Sequence, residues 1–228
     1  MQQLLNVLTP SDTQDLVSLE DMKMKLLIQD SDTSKDGLLQ ELISNLSETI
    51  ARMCNRVFAF EKVEETYYQL EDDPRYTQRL YLSRWPVKLT DIVSLTQDGI
   101  DITSTIAPIP GDIIPVGVGG QCVLEQKTGT LYKPSSLGTW CGVIDVVYSG
   151  GYALPDGAPA SLKFAVEALI RESYMSWIRN PALFGVRHIS HKESRIGYYG
   201  PNMFPVTGLP ETWKVVQSVL QKYIRQWV

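Results

Sequence analysis

Apolar positions change their period twice along this chain, and the changes divide it into stretches. From Leu19 to Val57 they recur at three- and four-residue steps, the spacing of one helical face. Leu19, Met22, Leu26 and Leu27 mark a first short helix. Ser18 stands where its side chain caps it, with Asp21 three residues on. The polar run Gln29–Lys35 interrupts the pattern. Asp36 is then expected to cap a longer helix, with Leu39, Leu42, Ile43, Leu46, Ile50, Met53 and Val57 along one stripe.

From residue 60 to 150 the character is that of strands. Val63–Leu70, Gln78–Leu82 and Ile92–Thr96 are rich in β-branched and aromatic residues. Asp98-Gly99 lies between two such runs and predicts a hairpin, because both central positions of a type I′ turn need positive φ. Cys122–Gln126 and Thr130–Tyr132 flank a second turn at Gly129, and Val143–Tyr148 is a further strand. Ala107–Gly120 carries three prolines and four glycines and is expected to be a loop.

At Pro159 the helical period returns, since a proline suits a first helical turn. Leu162, Ala165, Val166, Leu169, Ile170, Ser173 and Trp177 form the expected buried face, and Asn180-Pro181 ends it. A segment rich in glycine, proline and aromatics follows, and residues 1–15 and 182–209 are expected to be disordered in the free monomer. Pro210 then opens a last helix. The pattern predicts an α+β fold: a helical bundle body of three to four helices with an inserted small antiparallel β domain. The expected parts are an N-terminal helical part of the body at 1–58, the β insertion at 59–156, a central body helix at 157–181, and a docking loop with C-terminal helix at 182–228.

Charge adds an asymmetry. The chain carries a net −5, yet residues 159–228 hold nine basic and four acidic side chains and are +5, which leaves −10 on the remainder. An acidic body does not favour tight duplex binding, which needs clustered cations. No stretch approaches the roughly 18 apolar residues of a membrane span, and no basic residue precedes the apolar run near the N-terminus, as a signal peptide requires. Cys54, Cys122 and Cys141 are odd in number and far apart, so reduced, partly buried thiols are expected.

Reactive constellations are few in this sequence. Neither G-x-x-x-x-G-K-[ST] nor G-x-S-x-G occurs. Gly117, Gly119 and Gly120 have no following helix to present to a phosphate. His188 and His191 have the spacing of one helical face and Glu193 lies near, but they sit in a basic loop with no cysteine close in sequence to complete a rigid ligand set. Glu64-Glu65 and Asp72-Asp73 read as solvated surface, since adjacent strand residues point to opposite faces. No catalytic residue, metal ligand or cofactor is therefore assigned.

What remains are residues of the types enriched at interface cores. Phe184, Arg187, Arg195, Tyr198, Tyr199, Met203 and Phe204 form a basic, aromatic segment. Trp213, Val216, Leu220, Tyr223 and Trp227 lie along one side of the last helix, as its own core face or as an anchor for another subunit. All twelve are candidate partner contacts.

A family resemblance enters on the same residues. Leu16-Val17-Ser18-Leu19-Glu20-Asp21-Met22-Lys23 with Leu26 resembles the first helix of head–tail connector (adaptor) proteins of tailed bacteriophages. So do Asp36-Gly37-Leu38-Leu39 through Cys54-Asn55-Arg56-Val57-Phe58, and Trp85-Pro86-Val87 with Ile92-Val93-Ser94-Leu95 and Asp98-Gly99. Val146-Val147-Tyr148-Ser149-Gly150-Gly151-Tyr152, followed by Leu154-Pro155 and the proline-initiated helix, completes the likeness over roughly 16–180. The resemblance implies a structural virion protein at the neck. Its subunits form a ring, usually of twelve, beneath the portal protein. Neck or tail-completion proteins dock on it, and double-stranded DNA passes through without sequence recognition. It implies no catalysis, cofactor or membrane. A stopper-type neck or tail-completion protein, or a binding module from outside phages, are the alternative readings.

Overall fold

The computed structural model describes residues 2–69, 78–108, 122–133, 139–178, 188–191, 194–197 and 211–224. The chain is a mixture of helix and strand that divides into two compact units. One is built from residues 1–14 and 56–157, the other from 15–55 and 158–228.

In the β unit, β1 (Gln2–Thr9), β2 (Glu61–Gln69), β9 (Gly142–Gly150), β4 (Ile92–Gln97) and β5 (Ile100–Asp101) form a five-stranded sheet in that spatial order, antiparallel throughout. A second sheet runs β3 (Arg79–Tyr81), β8 (Thr130–Tyr132), β7 (Cys122–Glu125), β6 (Ile106–Pro108). Its β6–β7 pair is parallel. The two predicted hairpins form. Asp98 and Gly99 hold φ of 51° and 78°, and Gly129 has φ 60°.

Strict alternation builds the core. Glu61, Val63, Glu65 and Tyr67 on β2 are buried, as are Ile144, Val146 and Tyr148 on β9. They meet Leu80, Leu124 and Leu131 of the second sheet around a fully buried Trp140. Burying each such large apolar side chain stabilises the fold by about 1.5–3 kcal/mol.

The N-terminal residues differ from expectation. The pattern predicts a helical part over 1–58, whereas Gln2–Thr9 forms an edge strand of the five-stranded sheet. Its doubled apolar residues, Leu4-Leu5 and Val7-Leu8, show no alternation, so the strand is set by pairing with β2 rather than by its own pattern. Ala107 and Pro108, expected in a loop, belong to β6. The rest of that predicted loop lies outside the described residues.

In the helical unit, α1 (Leu19–Lys25) begins at Ser18, whose Oγ accepts the Asp21 N–H at 3.0 Å, as the sequence predicts. It ends one residue short of Leu26. Leu27 turns to φ 58°, and the Ile28 N–H reaches the Lys23 carbonyl at 2.9 Å, closing a Schellman turn. In α2 (Asp36–Met53), Asp36 is the first helical residue rather than the cap, and its carboxylate pairs with the buried Lys23 ammonium at 2.8 Å. Leu39, Ile43 and Ile50 are buried. α3 (Ala160–Ile178) follows Pro159 and buries Leu162, Ala165, Val166, Leu169 and Ile170. α4 (Glu211–Leu220) packs on α3, and α3 on α2.

Between α3 and α4 in sequence, β10 (His188–His191) pairs antiparallel with β11 (Ser194–Gly197). The backbone at His188 and His191 is thus extended, and the helical spacing that would give them one face is absent.

Candidate functional site: a closed polar cluster and open apolar surfaces

The densest group of titratable side chains lies inside the β unit. Alternation on β2 turns Glu65 inward, where it is fully buried. Its carboxylate accepts the Tyr148 hydroxyl at 2.5 Å, the Ser83 N–H at 3.1 Å and the Gln3 amide at 3.1 Å, with the Tyr67 and Ser83 hydroxyls also donating. The Tyr148 hydroxyl accepts the Arg84 N–H at 2.9 Å. Burial, and then the adjacent Glu65 charge, push the Tyr148 phenol well above its ordinary pKa of 10.0. The cluster ties β1, β2 and β9 to the segment after β3.

Beside it, Glu61 and Arg84 form a buried ion pair at 2.7 Å, and Gln14 donates to the other Glu61 oxygen at 3.1 Å. The Arg56 guanidinium lies over the Trp85 ring at 3.3 Å from its centroid and 4.5 Å from that of Phe58, and donates to the Trp85 carbonyl. Gly151, at φ 111°, lets the chain pass against the Ala59 carbonyl, where a Cβ would collide. Glu65 has no exposed surface to offer a substrate.

Glu64-Glu65, expected as solvated surface, is split by the structure: Glu64 is partly exposed and Glu65 is buried. The sequence signal for this is register: Glu65 shares the inward phase of Val63 and Tyr67. Asp72-Asp73 lies outside the described residues. Cys54 and Cys122 are buried and Cys141 is half-buried, all as free thiols. Burial lifts the Cys122 pKa from 9.0 to about 12.

Open apolar surface is found in both units. On the β unit, β1 exposes Leu4, Leu5, Val7 and Leu8. On the helical unit, Phe164, Met175 and Val215 border a groove of about 700 Å³. Lys25 and Glu167, 3.4 Å apart, cross its wall. Met24 and Leu27 are strongly exposed on the same unit.

Of the twelve candidate partner residues, Val216 and Leu220 are buried within the helical unit, where α4 packs on α3. Trp213 and Tyr223 are half-buried, and the Tyr223 hydroxyl shares a 2.6 Å hydrogen bond with Ser161. Arg195 lies on β11. Phe184, Arg187, Tyr198, Tyr199, Met203, Phe204 and Trp227 lie outside the described residues. Burial thus commits one face of α4, and the side carrying the half-exposed Val215 remains open. Among the described residues no group of three or more His, Cys, Asp or Glu side chains is placed to hold a metal ion, and no helix is long and apolar enough to cross a membrane.

Fold and surfaces together define a two-unit α+β protein whose buried polar groups fasten strands and which exposes apolar side chains on both units. Residues 16–108 match the sequence profile of the family described as Phage gp6-like head-tail connector protein, the family that the sequence resembles. Two solved structures share the fold. A chain from the neck of an empty gene transfer agent (GTA) particle, computed with C6 symmetry, aligns over 99% of this chain and 97% of that one, with a TM-score of 0.52 at 14% identity. A chain from the virion of a native GTA particle aligns over the same shares with a TM-score of 0.50 at 13% identity. No curated protein matches the chain.

Proposed function

We propose that this chain is a structural subunit of the head–tail connector in a tailed phage or phage-like particle, not an enzyme. The observation that carries the reading is the connector-family match over residues 16–108, which spans α1, α2 and the strands from β2 to β6. Copies of the chain form a ring, twelve in number, in the virion neck. The portal protein lies on one side and neck or tail-completion proteins on the other. The helical unit serves as the bundle body of each subunit and the β unit as its insertion. Residues 182–228 supply the docking segment.

Chemistry supports this assignment in two ways. The Glu65 cluster is closed to solvent and fixes strand geometry, as a subunit that must hold shape under load requires. The −10 carried by residues 1–158 disfavours a grip on duplex DNA, so DNA slides through the ring without sequence recognition.

Particle reconstruction with copy counting tests the proposal. The expected result is a ring of this chain between portal and tail. Its absence from the neck, or its presence on the tail side of another ring, would refute it. Deleting residues 209–228 is expected to abolish binding to purified portal while the β unit stays folded.

A further inference from the structure

The five-stranded sheet carries apolar side chains at both of its lateral edges. At one edge β1 runs for eight residues without a single charge, exposing Leu4 (53%), Leu5, Val7 and Leu8. At the other, Val93 on β4 (57%) and Ile100 on β5 (68%) are exposed. A long, uncharged, apolar edge invites pairing with another chain, and proteins ordinarily blunt such edges with charge or proline. β1 has neither within its span.

We propose that the apolar β1 edge of one copy packs against the β4–β5 edge of a second copy, side chain against side chain. This rests on the ring reading and names its contact. The two strips lie on opposite edges, so they meet only between molecules, head to tail, which is the interface that closes into a ring. Strand polarity agrees. β1 runs antiparallel to β2, β2 to β9 and β9 to β4, so β1 and β4 point in opposite senses. Rotation about a ring axis parallel to the strands preserves direction, so β1 meets the neighbour's β4 antiparallel, as every pair in this sheet does.

The outer edge of β4 is already used at Leu95, which exchanges hydrogen bonds with Thr103 and Ile102, and at Thr96 and Gln97, which pair with β5. The new contact is therefore mainly between side chains, around Val93 and Ile100. β1 is uncharged, so the exposed Asp101 carboxylate on β5 meets no like charge on that strand.

Size makes this edge one contact among several. Eight residues at about 3.3 Å each give a strip roughly 27 Å long and about 10 Å wide, on the order of 300 Å² per partner. A stable pair needs about 800 Å² per partner. The edge alone is too small to hold a dimer. It suits a ring, where each copy makes the contact twice and other surfaces add to it.

Cross-linking tests the assignment. In the full chain carrying Cys141→Ser, Leu5→Cys and Val93→Cys together are treated with a short bis-maleimide, with light scattering in parallel. The expected result is a ladder of dimer, trimer and larger species from the double variant, and no ladder from either single variant. A dimer from Leu5→Cys alone would show β1 meeting β1 and overturn the proposal. An oligomer seen by light scattering without a ladder would overturn the edge contact alone, and no oligomer even with purified portal would overturn the ring reading with it. A second pair guards against misfolding. Leu5→Lys is expected to weaken self-association at least tenfold with unchanged circular dichroism, and adding Val93→Glu is expected to restore it. Failure of that restoration counts against the edge pairing.

Discussion

The Tyr148 hydroxyl donates to the Glu65 carboxylate at 2.5 Å across the β2–β9 pair, with both side chains buried. A hydrogen bond to a charged acceptor away from water contributes about 1.5–3 kcal/mol. Tyr148→Phe is expected to lower the unfolding free energy by about 2 kcal/mol, since it also strips the Arg84 N–H of its acceptor. Glu65→Leu is expected to cost more, because the hydroxyls of Tyr67, Ser83 and Tyr148 all lose the same partner. Urea titration followed by tryptophan fluorescence measures both. A change under about 0.5 kcal/mol for Tyr148→Phe would mean that water reaches the site.

The same burial sets behaviour at high pH. The folded state holds the Tyr148 phenol neutral above its ordinary 10.0, and the Cys122 thiol up to about 12 against 9.0. Above these ordinary values the unfolded chain releases protons that the folded chain retains, so stability falls as pH rises. Loss is expected to begin near pH 9 through Cys122 and to steepen above pH 10 through Tyr148. Cys122→Ala is expected to flatten the slope between pH 9 and about 12, measured relative to its own stability at pH 8. A slope unchanged in that variant would contradict a buried, protonated thiol.

Legibility in the sequence followed how local each interaction is. Ser18 and the Asp98-Gly99 turn were readable because cap and turn chemistry act within four residues. Strands β2 and β9 were readable through their β-branched, aromatic and apolar content, yet alternation along β2 carried Glu65 inward, where residue type alone suggests water. β1 was not readable: its strand state depends on β2, about sixty residues on. The Pro108 strand was missed for a related reason, since a parallel partner at Leu124 is what recruits it. Of the candidate contacts on α4, helical periodicity gave the stripe, but only packing on α3 separates Val216 and Leu220, which are buried, from the exposed Val215 beside them.

Leu27 occupies a left-handed backbone position, φ 58°, with its side chain 93% exposed. A side chain with a Cβ costs roughly 1 kcal/mol or more there, and glycine is the usual occupant of this position in a Schellman turn. Leu27→Gly is expected to stabilise the free chain by about 1 kcal/mol, less the entropy glycine adds to the unfolded state. Thermal unfolding checks the sign. Destabilisation would mean that Leu27 packs against something in the free protein.

Glu61 and Arg84 bring opposite charges into the β unit with less than a tenth of either side chain exposed. Two desolvated charges hold each other in place, but each is costly alone. Arg84→Met is expected to destabilise the fold by about 3–5 kcal/mol, because it strands the Glu61 carboxylate with Gln14 as its remaining donor. Glu61→Leu is expected to cost a similar amount. The double variant is expected to recover most of the loss, since no lone charge is then buried and the apolar pair fills a comparable volume. A double-mutant cycle in urea reads this directly: a coupling of several kcal/mol marks a buried pair, whereas additive losses would mean that Arg84 and Glu61 are each solvated and act separately.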